Sequence, residues 1–158
     1  MLFGFMKKKK EEPKVPEKKE LLYLENVRVN CKASTKEEVI RGVGQMLVDS
    51  GYVNPSYVDA MLKREETCST YMGNGLAIPH GVEEAKKEVL ASGISVMVFP
   101  EGVEWDGNKV HVAIGIAGVG DDHLSILAII ADKMLDDEVV ATIPQADAET
   151  VYKLLGGN

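Results

Sequence analysis

Among the 158 residues are three histidines, and the one in "MGNGLAIPHGV", residues 72–82, has the most constrained setting. Pro79 fixes its own φ and pushes Ile78 into extended backbone, so a strand must end there and present His80 at its C-terminal edge. Gly81 then lets the backbone turn tightly and lets an anionic group come close. A neutral imidazole held this way can attack near pH 7 through one nitrogen while a hydrogen bond fixes the other. That is nucleophilic chemistry, although the same residues would also build an ordinary loop histidine.

The other polar candidates are weighed in the same way. His123, in "DDHLSIL", falls in the first turn of an expected helix, where free N–H groups and the helix dipole favour a bound anion. His111 lies between Val110 and Val112 inside a strand, the usual place of a structural histidine. Arg64 ends a helix in "KREET"; a guanidinium there suits bidentate contact with a phosphoryl group, and equally a surface ion pair. Asn74 can donate a hydrogen bond or serve the "GNG" turn. Cys31 and Cys68 are too few and too far apart for a zinc cluster or a redox pair and read as ordinary thiols. No carboxylate stands at a metal-ligand spacing from His80 or His123, so neither a metal nor another cofactor is expected.

These residues need a scaffold of alternating elements. Thr35 and Glu38 form a capping box, and Val39, Ile40, Val43, Met46 and Leu47 follow at helical spacing, which predicts a helix over 36–50. Asn54 as N-cap with Pro55 at the first helical position begins a second helix, with Tyr57, Val58, Met61 and Leu62 on its buried stripe and its end near Arg64 to Thr67. "GLAIP", "SGISVMVFP" and "KVHVAIGIAG" read as strands. Asp121 or Asp122 caps the apolar helix "HLSILAIIADKML", and two short helices follow over 138–143 and 148–155. The pattern predicts a single α/β domain, a mixed β-sheet sandwiched between helices. It carries no phosphate loop or dinucleotide fingerprint.

Composition limits the partners. The formal charge is −7, but residues 1–20 hold seven lysines against four glutamates, so the remainder has 11 basic and 21 acidic residues. An acidic body argues against nucleic acid and for a basic protein partner or plain solubility. Residues 1–20 have too little apolar content to repay ordering and are expected to be a disordered charged tail, with the domain over 21–158. Glutamates interleaved with the lysines weaken any attraction of that tail to an anionic membrane. No stretch is long and apolar enough to span a bilayer, and "MLFGFM" precedes its lysines, the wrong order for a secretory signal. A cytoplasmic protein is the expectation.

Taken together, "KREETCSTYMGNGLAIPHGV" and "FPEGVEWDGNKVHVAIGIAGVGDDHLSIL" resemble the mannitol-type IIA components of the sugar phosphotransferase system, within the mannitol/fructose IIA family. The likeness runs from about Leu21 to the C-terminus. It is most specific in the arginine sixteen residues before His80 and in the later "HLSIL". The resemblance implies that His80 receives a phosphoryl group from the histidine-containing phosphocarrier protein and passes it to a cysteine of the mannitol-specific IIB domain of a IIB/IIC permease. Through that permease alone the chain would meet a membrane. It further implies that His123 supports the phosphorylated histidine and that Arg64 is the active-site arginine. Asn74 stands where some mannitol-type members have glutamate; with Gly81 it is the candidate phosphate contact. A fructose-type IIA or a nitrogen-type regulatory IIA would share the fold, but "FPEGVEWDG" and "VAIGIAG" resemble the mannitol branch more closely.

Overall fold

Large and small residues alternate along "VHVAIGIA", and the strand they form runs through the middle of the molecule. The computed structural model describes residues 20–156. The expected tail thus lies outside the described residues except for Glu20. That residue is already tied to the domain: its carbonyl accepts the Tyr52 hydroxyl at 2.6 Å, and its N–H donates to the Tyr23 hydroxyl.

In chain order the elements are β1 (Val27–Arg28), α1 (Lys36–Asp49), α2 (Ser56–Thr67), β2 (Tyr71–Gly73), β3 (Leu76–Ala77), β4 (Gly93–Trp105), β5 (Asn108–Ala117), α3 (Asp122–Lys133), α4 (Asp137–Thr142) and α5 (Ala148–Leu154). Short 3₁₀ turns occupy Leu24–Asn26, Glu83–Glu88 and Ile143–Gln145. The five-stranded sheet has the order β1-β4-β5-β3-β2. β1 on β4 and β3 on β5 are parallel, while β4 on β5 and β2 on β3 are antiparallel. This is the mixed α/β architecture expected.

The alternation along β5 has a physical reason other than one wet face, because both faces are buried. Ile94, Val96 and Val98 of β4 and Val112, Ile114 and Ile116 of β5 pack with Ile126 and Ile130 of α3 and Val151 of α5. The opposite face sets Phe99, Ala113 and Ala117 against Val39, Ile40 and Val43 of α1 and Tyr57 and Met61 of α2. Small residues let α1 ride close to the sheet. A Cβ added at Gly115 would lie 2.8 Å from Ser95 Oγ and 2.9 Å from Val43 Cβ, and the Ser95 hydroxyl donates to the Val43 carbonyl at 2.7 Å. Interiors packed this tightly register even a methyl group.

Several local expectations need correction. β4 does not stop at Pro100 but continues to Trp105, because Pro100 lies where the register slips between Val98 and Val103, and a bulge tolerates a residue without a ladder N–H. Asp106 and Gly107, with φ of 52° and 91°, then make the two-residue turn into β5. β1 and β2 were not expected, being too short to show a period. Pro55 is helical as anticipated (φ −54°, ψ −31°), but α2 has no side-chain cap: the Asn54 amide donates to Glu88 Oε1 at 3.1 Å instead. Asp121, one of the two aspartates expected there, stands at the N-cap position of α3, but its side chain makes no capping hydrogen bond. The Asp122 carboxylate accepts from the Ser92 hydroxyl at 2.7 Å, and Ser92 Oγ accepts the Val119 N–H, which braces the loop that leads into α3. The Thr35–Glu38 capping box is present in full, and Asp136 and Asp147 cap α4 and α5.

Candidate functional site

His80 follows β3 and stands beside the end of β5, held there by a parallel bridge to Ile116; the Ile116 N–H donates to the Pro79 carbonyl at 2.9 Å. Its Nδ1 lies 2.8 Å from the Ile78 carbonyl oxygen. A carbonyl can only accept, so Nδ1 carries the proton and the lone pair of the neutral ring is on Nε2. Burial pushes the His80 pKa below the ordinary histidine value, against the Ile78 hydrogen bond that pulls it up; the positive charges of Arg64 and His123 push it further down, and Glu65 pulls it up. The net effect is a neutral imidazole with a defined nucleophilic nitrogen near pH 7.

α3 brings in the second histidine. His123 is the second residue of that helix, and its ring centroid is 6.5 Å from that of His80, with 29° between the planes. The close approach requires Gly118, where a Cβ would fall 2.3 Å from the backbone nitrogen of His123. Arg64 sits in the last turn of α2, anchored through Nη1 to the Cys68 carbonyl at 2.7 Å, and its charge is felt at His80. The three strongest sequence candidates are thus gathered at one end of the sheet.

Gly81 is needed for a different reason from the one expected. Its φ is not in the left-handed region; rather, a Cβ would lie 2.6 Å from the Tyr57 ring, and its N–H donates to the Tyr57 hydroxyl at 2.9 Å. That hydroxyl in turn donates to the Ile116 carbonyl at 2.9 Å, and its burial pushes the Tyr57 pKa up. Tyr57 therefore rivets the His80 loop to β5. Sequence reading took it for core, and nothing local reveals the hydroxyl's partners. Lys86 and Glu83 were also missed. With Tyr57, both histidines and Gly118 they line a cleft of only about 20 Å³, and Lys86 is ion-paired to Glu83 at 2.9 Å and Asp121 at 3.7 Å.

Asn74 is placed elsewhere. With φ of 52° it forms the β2–β3 turn together with Gly75, and its amide donates to the Met134 carbonyl at 3.0 Å. It borders a second cavity of about 350 Å³, between Met72, Leu76 and the C-terminal half of α3, which contains neither histidine. His111 is half-buried, with Nδ1 3.0 Å from the Phe99 carbonyl. Among the described residues no three His, Cys, Asp or Glu side chains are grouped to hold a metal ion, and no helix is long and apolar enough to cross a membrane.

Two histidine rings 6.5 Å apart on a narrow cleft, with an arginine charge felt at one of them, can carry a small anionic group. The family comparison agrees: the model for "Phosphoenolpyruvate-dependent sugar phosphotransferase system, EIIA 2" matches residues 20–157, and the chain belongs to that family. Among its relatives is the mannitol-specific phosphotransferase enzyme IIA component of Halalkalibacterium halodurans, 49% identical over 137 residues, 86% of this chain and 94% of the relative. The component of the same name from Bacillus subtilis is 49% identical over 131 residues, 82% of this chain and 92% of that one. Of solved structures, the Escherichia coli complex of enzyme IIA-mannitol with phosphorylated enzyme IIB-mannitol superposes with a TM-score of 0.81 at 37% identity, covering 87% of this chain and 98% of that one. A nitrogen regulatory IIA protein from Neisseria meningitidis shares the fold (TM-score 0.73; 85% of this chain and 96% of that one) at 22% identity.

Proposed function

We propose that this chain is a cytoplasmic phosphocarrier for mannitol uptake, taking a phosphoryl group on His80 from the histidine-containing phosphocarrier protein and giving it to a cysteine of a mannitol-specific IIB domain. The observation that carries the reading is the 2.8 Å contact of His80 Nδ1 with the Ile78 carbonyl, which leaves Nε2 as the nucleophile. As Nε2 bonds to phosphorus, the donor's N–P bond breaks with its electron pair left on the donor nitrogen, and the positive charge that develops on the His80 ring is stabilised by the Ile78 oxygen through Nδ1–H. In the onward step a IIB thiolate attacks phosphorus, the N–P bond returns its electron pair to Nε2, and the neutral ring is restored. Arg64 and His123 are the groups that face the phosphoryl oxygens. Asn74, committed to the β2–β3 turn, has no part in this reading, and the Gly81 N–H is already held by Tyr57.

Mannitol, rather than nitrogen regulation, is favoured by the relatives: mannitol components reach 49% identity where the nitrogen-type structure stands at 22%. The test is reconstitution with phosphoenolpyruvate, the general phosphotransferase proteins and a mannitol IIB domain, read by intact mass. The wild-type chain is expected to gain one phosphoryl group and pass it to IIB, and His80→Ala to gain none. An undiminished mass gain in His80→Ala overturns the assignment.

A further inference from the structure

One buried carboxylate near the site has no role in the phosphoryl transfer just described. Glu65, next to Arg64 on α2, is only 6% exposed. Its Oε2 accepts the Thr70 N–H and the Trp105 indole N–H, each at 3.0 Å, and its Oε1 accepts the Thr70 hydroxyl at 2.6 Å. Lys36 Nζ lies 3.9 Å from Oε2 and is itself held by Asp106 at 2.9 Å. Four separated parts of the chain meet at this carboxylate: the start of α1, the end of α2, the lead into β2 and the end of β4.

Two further hydrogen bonds link this junction to the nucleophile. The Thr70 carbonyl accepts the Ile78 N–H at 3.0 Å, and the Ile78 carbonyl accepts the His80 Nδ1–H. We infer that Glu65 is a positioning residue for phosphoryl transfer: through Thr70 it sets the place of Ile78, whose carbonyl selects the His80 tautomer, and from its own turn of α2 it sets the place of Arg64. The inference rests on the proposed role of His80. A carboxylate is an expensive way to fill a core site, since well-packed apolar residues stabilise as well or better. What three directional hydrogen bonds provide beyond packing is a fixed geometry among segments distant in sequence.

The experiment uses the full-length chain and two readouts. Ring ¹⁵N shifts of His80 report the tautomer without any phosphoryl donor; reconstituted transfer reports the rate. Glu65→Gln keeps the shape but turns one acceptor into a donor. It is expected to give a mixture of Nδ1–H and Nε2–H tautomers and to slow transfer by on the order of tenfold to a hundredfold, as small misplacements of reacting groups do. Trp105→Phe removes one donor to Glu65 but leaves the Thr70 arm, so it should lower the melting temperature while keeping the wild-type tautomer and rate. Should Glu65→Gln fail to fold, Thr70→Val removes the 2.6 Å bond alone and should show the same tautomer mixing to a smaller degree. An unchanged tautomer and rate in a folded Glu65→Gln chain overturns the inference, as does a Trp105→Phe chain that loses rate in proportion to its stability. A wild-type chain that accepts no phosphoryl group would overturn the role of His80 instead, and the tautomer spectra would still decide the link from Glu65.

Discussion

His80 and His111 lie on the same sheet, both half-buried, and each has Nδ1 within 3.0 Å of a backbone carbonyl, Ile78 for one and Phe99 for the other. Each is therefore the tautomer with Nε2 free. Their surroundings differ. His80 stands at the end of β5 with His123 6.5 Å away, Arg64 close enough to disfavour its protonation, and Lys86 across the cleft. His111 is packed beside Gly75 and Gly102, near the stem of the Lys109 side chain. Fixing a tautomer makes a nucleophile available; only the setting at the α2 and α3 termini, with Arg64 and His123, suits the phosphate-carrying role proposed for His80.

The comparison breaks most sharply by removing each histidine in turn. His80→Ala is expected to accept nothing at any reaction time, because the proposed acceptor nitrogen is gone and His123 is read as a supporting group, not a second acceptor. An intermediate result is expected for His123→Ala: removing one stabilising donor typically costs on the order of 10²-fold or more, so the variant should become phosphorylated slowly and relay poorly to IIB in rapid-quench assays. Wild-type relay would instead make His123 an ordinary first-turn residue. The same variant sharpens the electrostatic side. The wild-type His80 midpoint in an NMR titration should lie below the ordinary histidine value, and loss of His123 should raise it by removing one of the charges that push it down. The sign carries into stability: the unfolded chain takes up this proton at higher pH than the folded one, so stability should fall as pH drops through the ordinary histidine range and level off once folded His80 is protonated.

Smaller effects are expected at the other end of the sheet. His111→Gln offers an amide N–H to the Phe99 carbonyl and should transfer phosphate within about twofold of wild type, in keeping with substitutions away from reacting groups. If it abolished acceptance, the contrast between the two histidines would collapse. The smallest effect is expected from deleting residues 1–19, which should change neither melting temperature nor phosphate acceptance. The cut is placed before Glu20 because the carbonyl of that residue holds Tyr52.

How much of this could be read in advance follows from how local each signal is. Pro79 before His80, and aspartates before His123, are written in adjacent residues, so both histidines were legible, as were α1 with its capping box and β5. Tyr57 was legible only as an apolar position on α2, because its hydroxyl partners are 24 and 59 residues away in sequence. Glu65 reads as one more charge in "KREET" until folding brings Thr70 and Trp105 to it. Gly81 could be singled out but not explained, since its reason is a ring from another helix. Asn74 was open between turn and ligand, and the Met134 carbonyl now holds its amide. β1 and β2 owe their existence to longer neighbours and have no period of their own.

The central claim is that the phosphoryl group bonds to Nε2 of His80, the nitrogen left free by the Ile78 carbonyl. NMR of the ¹⁵N-histidine-labelled chain after phosphorylation, reading one-bond coupling between ³¹P and each ring nitrogen, tests it directly. The account predicts a coupling to Nε2 of His80, with Nδ1 still protonated and both nitrogens of His111 and His123 unmodified; a coupling to Nδ1, or to any other histidine, would contradict it.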